Sequence, residues 1–139
     1  MMNWKKNIYD DLTGCSTLCD AFATECSGAA NIEELYRSII LSLDCADVCR
    51  QLAILYVRGS ENTQLMAKVC IDVCAKCAQE VNQFDSAACR QVYAMCQQAI
   101  LSCVLLSNMA DQPDTVPAYR QPTPSSMFYG IDLRETLYN

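Results

Sequence analysis

Eleven cysteines in a chain of 139 residues fall at helical intervals. They are Cys15, Cys19 and Cys26; Cys45 and Cys49; Cys70, Cys74 and Cys77; and Cys89, Cys96 and Cys103. Within each group the steps are of three, four or seven residues, the spacings that put side chains on one face of an α-helix. A Cys-x-x-x-Cys pair separates two sulfurs by about 6 Å of axial rise. Side-chain rotation closes that gap, so two thiolates can grip one metal ion. Soft thiolates select soft metals, Cu(I) foremost, with zinc and iron–sulfur clusters next. Charge favours the monovalent ion, because Cu(I) shared among buried thiolates nearly neutralises each sulfur it recruits. Zinc on four thiolates leaves about two net negative charges per ion, which is hard to repeat along a closed core. Iron–sulfur motifs come as compact loop runs of cysteines, and this chain has none.

A competing reading treats the thiols as small buried hydrophobes. One Cys-x-x-x-Cys pair would mean little. Three of them (15/19, 45/49, 70/74), together with 74/77 and the ladder 89/96/103, favour a shared chemistry. A disulfide scaffold fits poorly. Met1 to Asp11 holds Trp4, Lys5 and Lys6 but no apolar signal-peptide core and no small-residue cleavage site. The expectation is a cytoplasmic protein, where stable disulfides are rare. The cysteine count is odd, so at least one thiol stays free even if cross-helix bridges form.

Other chemistry is thinly supported. The chain has no histidine, which removes a cysteine–histidine nucleophile. It has only four glycines and no phosphate-cradling loop. Asp11, Asp44, Asp47 and Asp72 read as helix-surface charges rather than an acid–base pair. Met66, Met95 and Met109 read as core fillers, although thioethers at a helix end can assist a soft ion, and Met127 stands in the tail. The net charge of −6 argues against nucleic acid or an anionic membrane as a partner. No apolar run reaches the length of a membrane span.

The elements that must carry these residues are four helices. No proline occurs before Pro113. Helix 1 is expected from about Lys5 to Ser27, ending near Gly28. Asn31 with Glu34 resembles a capping box opening helix 2, which should end before Gly59. Ser60 is the expected cap of helix 3, which should fade near Phe84, and Asp85 the expected cap of helix 4, running to about Met109. The short connections predict an all-α, antiparallel up-down-up-down four-helix bundle over residues 1–110. Residues 111–139 read as an extended tail: a linker with Pro113, Pro117, Pro122 and Pro124, then an apolar segment, Met127 to Leu133. Trp4 and Tyr9 are expected to pack an end of the bundle.

Antiparallel register then places the thiols in layers. Cys49 should lie level with Cys70, Cys45 with Cys74, and Cys15 near Cys45. Cys77 should approach Cys89, and Cys70 and Cys74 should approach Cys96. Helix 2 carries too many apolar residues for one inward stripe, among them Leu35, Ile39, Ile40, Leu43, Leu52, Ile54 and Val57. A helix apolar on more than one face needs a second partner, so self-association through helix 2 is expected.

Asp44-Cys45-Ala46-Asp47-Val48-Cys49, the turn Arg58-Gly59-Ser60, and Val69-Cys70-Ile71-Asp72-Val73-Cys74-Ala75-Lys76-Cys77 resemble the cysteine-rich four-helix-bundle copper storage proteins. The resemblance covers roughly residues 12 to 104. It implies several Cu(I) ions per chain, held by the eleven cysteines without catalytic turnover. It also implies a tetrameric homo-oligomer and release to a competing thiol or a copper chaperone. The family pattern has further cysteines where this chain carries Phe22, Ser38, Ala67, Val81, Val92 and Ala99. It often has histidines in the turn where this chain carries Phe84, Ser86 and Ala88. Those departures predict a smaller capacity. Two alternatives remain at this point: a scaffold docking through its C-terminal tail, and an iron–sulfur or other soft-metal protein.

Overall fold

The computed structural model describes residues 3–109, with side chains from residue 7 onward. Four helices follow in order: α1 (Asn3–Ser27), α2 (Ile32–Val57), α3 (Thr63–Val81) and α4 (Ala87–Asn108). Residues 111–139, including the proline linker and Met127, lie outside the described residues, as does the side chain of Trp4.

Each connection has a local cause. After α1 the chain turns through Gly28 and Ala29, whose amides bond to the carbonyls of Glu25 and Cys26 at 3.2 and 3.1 Å. Asn31 is the N-cap of α2, as expected, but acts through its backbone. Its carbonyl accepts from the Glu34 and Leu35 amides at 3.0 and 3.3 Å, and its side chain makes no cap bond. The α2 end is a Schellman turn. The Ser60 amide reaches back to the Leu55 carbonyl at 2.9 Å and the Gly59 amide to that of Tyr56 at 3.1 Å. That turn needs a left-handed residue, and Gly59 supplies it at φ 67.

Three helix boundaries differ from the sequence reading. Ser60 does not cap α3; its hydroxyl accepts from the Asn62 amide at 3.1 Å, a local turn that delays the helix start to Thr63. α3 stops at Val81, because the Gln83 and Phe84 amides bond three residues back, to Glu80 and Val81, and tighten the chain out of the helix. Asp85 is not the cap of α4. Ser86 takes that position in extended backbone and accepts from the Cys89 amide at 3.1 Å. Asp85 instead pairs with Arg90 in solvent.

The register of α2 against α3 follows from three contacts: Ser42 with Cys77, Cys45 with Cys74, and Cys49 with Cys70. Residue numbers fall on one helix as they rise on the other, which is antiparallel packing. On the α1–α4 side, Asp11 accepts from Ser102 at 2.8 Å and from Gln98 at 3.3 Å. α2 is tied to α1 at the surface by Arg50, which spans Asp20 and Asp47.

The core between the helices is unusual in composition. Leu12, Leu52 and Leu106 fill it towards the α2–α3 turn, and Phe22, Val81 and Val92 towards the opposite end. Between them the buried side chains are mostly cysteine, alanine and serine. Tyr9 does not pack the end of the bundle; it is 41% exposed, and its neighbours Ile8 and Leu12 are buried instead. Leu35, Ile39, Leu52 and Leu55 occupy the inward stripe of α2. Ile32, Tyr36, Ile40, Leu43, Ile54 and Val57 are left exposed, as are Leu101, Val104 and Leu105 on α4. The surplus apolar face expected of helix 2 is therefore present.

Candidate metal centre

All eleven cysteines are free and buried. Each helix contributes through the spacing that its turn imposes. α1 offers Cys15 and Cys19, α2 offers Cys45 and Cys49, α3 offers Cys70, Cys74 and Cys77, and α4 offers Cys96. The i, i+4 pairs of facing helices interleave. Cys45 Sγ lies 3.4 Å from Cys74 Sγ, 3.8 Å from Cys15 Sγ and 3.9 Å from Cys96 Sγ. Cys49 Sγ lies 3.5 Å from Cys74 Sγ and 3.6 Å from Cys70 Sγ. Along α3 itself, Cys70 and Cys74 approach to 3.7 Å. Every one of these separations is thiol–thiol contact, far beyond a sulfur–sulfur bond of about 2.05 Å.

Two sets of four sulfurs are mutually close enough to surround one ion: Cys15, Cys45, Cys49 and Cys74, and Cys15, Cys19, Cys45 and Cys96. In each set all sulfurs lie within 4.8 Å of one another. The sets share Cys15 and Cys45, so they form one continuous cluster rather than two isolated sites. Cys70 joins it through Cys49 and Cys74. Cys77 is coupled to it electrostatically through Cys19, Cys45 and Cys96, and touches Ser42 Oγ at 3.6 Å.

The thiols share their protons unequally. Hydrogen bonds from Cys19 first, and then from Cys45, Cys49 and Cys74, hold Cys15 far below the ordinary thiol value against the opposing effect of burial. Bonds from Cys19, Cys45 and Cys96 do the same for Cys77. The donors are pushed the other way. Cys45 is raised through its bonds with Cys15 and Cys19 first. Cys74 and Cys96 are raised through Cys15 first. Cys19 and Cys49 are also raised, again through Cys15 first. The shifts are mutual, so the cluster titrates as a unit rather than thiol by thiol.

Three of the expected layers are present: Cys49 with Cys70, Cys45 with Cys74, and Cys15 with Cys45. Two expected approaches are not. Cys77 touches Ser42, and no sulfur contact with Cys89 is found among the described residues. Cys96 lies against Cys45 and joins the Cys15/Cys19 set rather than approaching Cys70. α4 lies against α1, where Gln98 and Ser102 bond Asp11, and this places Cys96 beside the α1 thiols.

Three cysteines stand apart from the cluster. Cys26 and Cys89 are neighbours near the α1–α2 and α3–α4 turns; burial first, and then the charges of Cys89 and Glu25, raise the Cys26 thiol. Cys103 is fully buried, and no sulfur contact of 4 Å or less is found for it among the described residues. The ladder Cys89, Cys96, Cys103 steps seven residues at a time, about 10 Å of axial rise, too far for neighbouring rungs to share an ion. Met66, Met95 and Met109 pack as partly buried side chains against the core. Met95 lies 3.8 Å from the position of a β-carbon on Gly14, an ordinary packing contact.

Two polar core residues carried no chemical motif of their own. Ser42 Oγ touches Cys77, and Ser38 is fully buried with its hydroxyl unpartnered. Both fall on the helical stripe that continues to Cys45 and Cys49, and that spacing was the available signal.

With this geometry in hand, the comparisons with known proteins converge. The family model for copper storage proteins matches residues 1–108. The chain belongs to that family. Among solved structures it is similar to a cytosolic copper storage protein from Streptomyces lividans loaded with five coppers. That match has a TM-score of 0.73 and 24% identity over 78% of this chain and 95% of the other. It is similar to the same organism's protein loaded with 10 copper equivalents, with a TM-score of 0.71, 24% identity, 76% of this chain and 84% of the other. It is also similar to the Cu(I)-bound copper storage protein BsCsp3, with a TM-score of 0.70, 20% identity, 75% of this chain and 98% of the other. At these identities the likeness establishes the four-helix fold. A comparison with curated protein sequences finds no match.

Proposed function

We propose that this chain stores Cu(I) on the cysteines of its bundle core. The observation that supports it most strongly is the continuous cluster of eight sulfurs, in which two four-sulfur sets share Cys15 and Cys45. A single-ion site needs four ligands and no more. A cluster in which Cys74 touches three other sulfurs lets each thiolate bridge ions, which suits many soft monovalent ions at low net charge. Cys15, Cys19, Cys45, Cys49, Cys70, Cys74, Cys77 and Cys96 are the shared ligands. Cys26 and Cys89 form a separate pair, and Cys103 is an outlying ligand.

Copper here is cargo. It enters and leaves by exchange with competing thiols or a copper chaperone, without catalytic turnover. The family and the cytosolic relative from Streptomyces lividans support a cytoplasmic location. The exposed apolar residues of α2 and α4 support a homo-oligomer, the family resemblance suggesting a tetramer. The test is an anaerobic Cu(I) titration of fully reduced protein against a chromogenic Cu(I) chelator. Uptake of several ions per chain is expected, and its loss when Cys45, Cys49, Cys70 and Cys74 are all replaced by serine. Uptake of one ion or none overturns the reading. A brown colour in the purified protein would favour an iron–sulfur cluster instead.

A further inference from the structure

Loading a buried thiol with copper has a second product. The S–H bond breaks, the sulfur forms its bond to Cu(I), and a proton must leave a core that holds almost no water-like groups. Copper stays Cu(I), so charge balances only when that proton reaches solvent.

The cluster ends at Cys77, whose sulfur touches Ser42 Oγ at 3.6 Å. One helical turn nearer the α1–α2 end, the α2 stripe continues to Ser38. The α2–α3 register that faces Ser42 with Cys77 faces Ser38 with Val81. On the other side of the core, Cys19 meets Cys96 and Cys26 neighbours Cys89, so Phe22 and Val92 fall between. Phe22, Ser38, Val81 and Val92 therefore form one layer, all buried, dividing the thiol cluster from the Cys26/Cys89 pair. Ser38 is the single polar side chain in that layer, fully buried and without a hydrogen-bond partner. Beyond the layer lies Cys26, the most exposed of the eleven cysteines at 8%.

An unpartnered hydroxyl in an apolar layer is costly to keep. It is also the only kind of group there that both donates and accepts a proton. We propose that Ser42 and Ser38 are a hydroxyl relay through which protons displaced by Cu(I) leave the cluster. A proton displaced elsewhere in the cluster reaches Cys77, which passes it to Ser42 Oγ as the Ser42 hydroxyl proton moves on. Ser38 receives it through one water held between two hydroxyls a turn apart, and passes it to the end of the bundle at Cys26. The hydroxyls move protons and do not hold copper, because a neutral hard oxygen is a poor ligand for a soft ion.

The inference rests on the copper-storage reading, and its test separates the two. Reduced full-length protein is mixed in stopped flow with a Cu(I)–chelator complex, following chelator colour and a pH indicator together. Ser38→Ala is expected to slow loading and proton release about fivefold, the rate equivalent of one hydrogen bond of about 1 kcal/mol. Its slowing in D2O should grow, while final capacity and helicity stay unchanged. Ser38→Thr, which keeps the hydroxyl, should load at the wild-type rate. Ser42→Ala should behave as Ser38→Ala does, and carries the test if Ser38→Ala fails to fold. Ser102→Ala is the control, removing another buried hydroxyl that bonds Asp11 rather than a thiol. Wild-type rates in the alanine variants, or equal slowing in Ser102→Ala, overturn the relay. Absence of copper uptake by the wild type overturns the storage reading itself.

Discussion

Replacing Cys74 by serine separates a shared cluster from a set of independent thiols. Cys74 Sγ lies within 3.4 Å of Cys45, 3.5 Å of Cys49 and 3.7 Å of Cys70. A two-coordinate Cu(I) uses two sulfurs, and a bridging sulfur serves two ions, so Cys74→Ser should lose about two ions per chain. Cys103→Ser is the comparison. Cys103 is equally buried, with no sulfur contact found among the described residues, so its loss should remove about one ion at most. The stability cost does not confuse the outcome. A hydroxyl replacing the Cys74 thiol keeps hydrogen-bonding neighbours, so the metal-free variant should lose about 1–2 kcal/mol, and the bundle should still fold at 25 °C. Capacity is read by anaerobic titration against a chromogenic chelator, and folding by circular dichroism of the metal-free chains. Equal losses in the two variants, or a greater loss in Cys103→Ser, would refute the bridging argument.

Other expected outcomes follow from single features of the fold. Ser86→Ala removes the side-chain cap on the Cys89 amide and should cost about 1 kcal/mol, or roughly 4–8 °C in melting temperature for a bundle of this size. Cys26 is raised by burial and by Cys89, so its contribution to stability is complete below the unfolded thiol value of about 8.5 and is lost as pH rises beyond it. Urea midpoints of reduced, metal-free wild type should therefore fall relative to Cys26→Ala between about pH 8 and pH 10; parallel curves would contradict the shift. Ile40→Glu puts a charge on the exposed apolar face of α2 and should lower the sedimentation mass of the native protein. An unchanged mass would move the contact to another helix.

The sequence carried the helices and the α2–α3 thiol layers, because both depend on local periodicity and a short turn. Gly59 marked the α2 end, since only a left-handed residue closes that turn. The caps were less legible. Asp85 and Ser86 are both good N-cap types; Ser86 takes the extended cap position and bonds the Cys89 amide, while Asp85 lies one residue outside in solvent beside Arg90. Ser60 was likewise a plausible cap, but its own turn with Asn62 delayed the helix. The α4 thiols were misplaced because their partners depend on the register of α4 against α1, a tertiary feature that no local pattern encodes. Cys96 thus belongs with Cys15 and Cys19. Ser38 and Ser42 were easier to overlook than hidden: serine is ordinary on a helix surface, but their spacing continues the stripe of Cys45 and Cys49 into the core.

Copper K-edge X-ray absorption of the anaerobically loaded protein tests the central claim most directly. Thiolates that bridge ions in one continuous core predict a first shell of sulfur only, together with copper–copper scattering that strengthens as ions are added. A shell containing nitrogen or oxygen, or no copper–copper scattering at full loading, would contradict it.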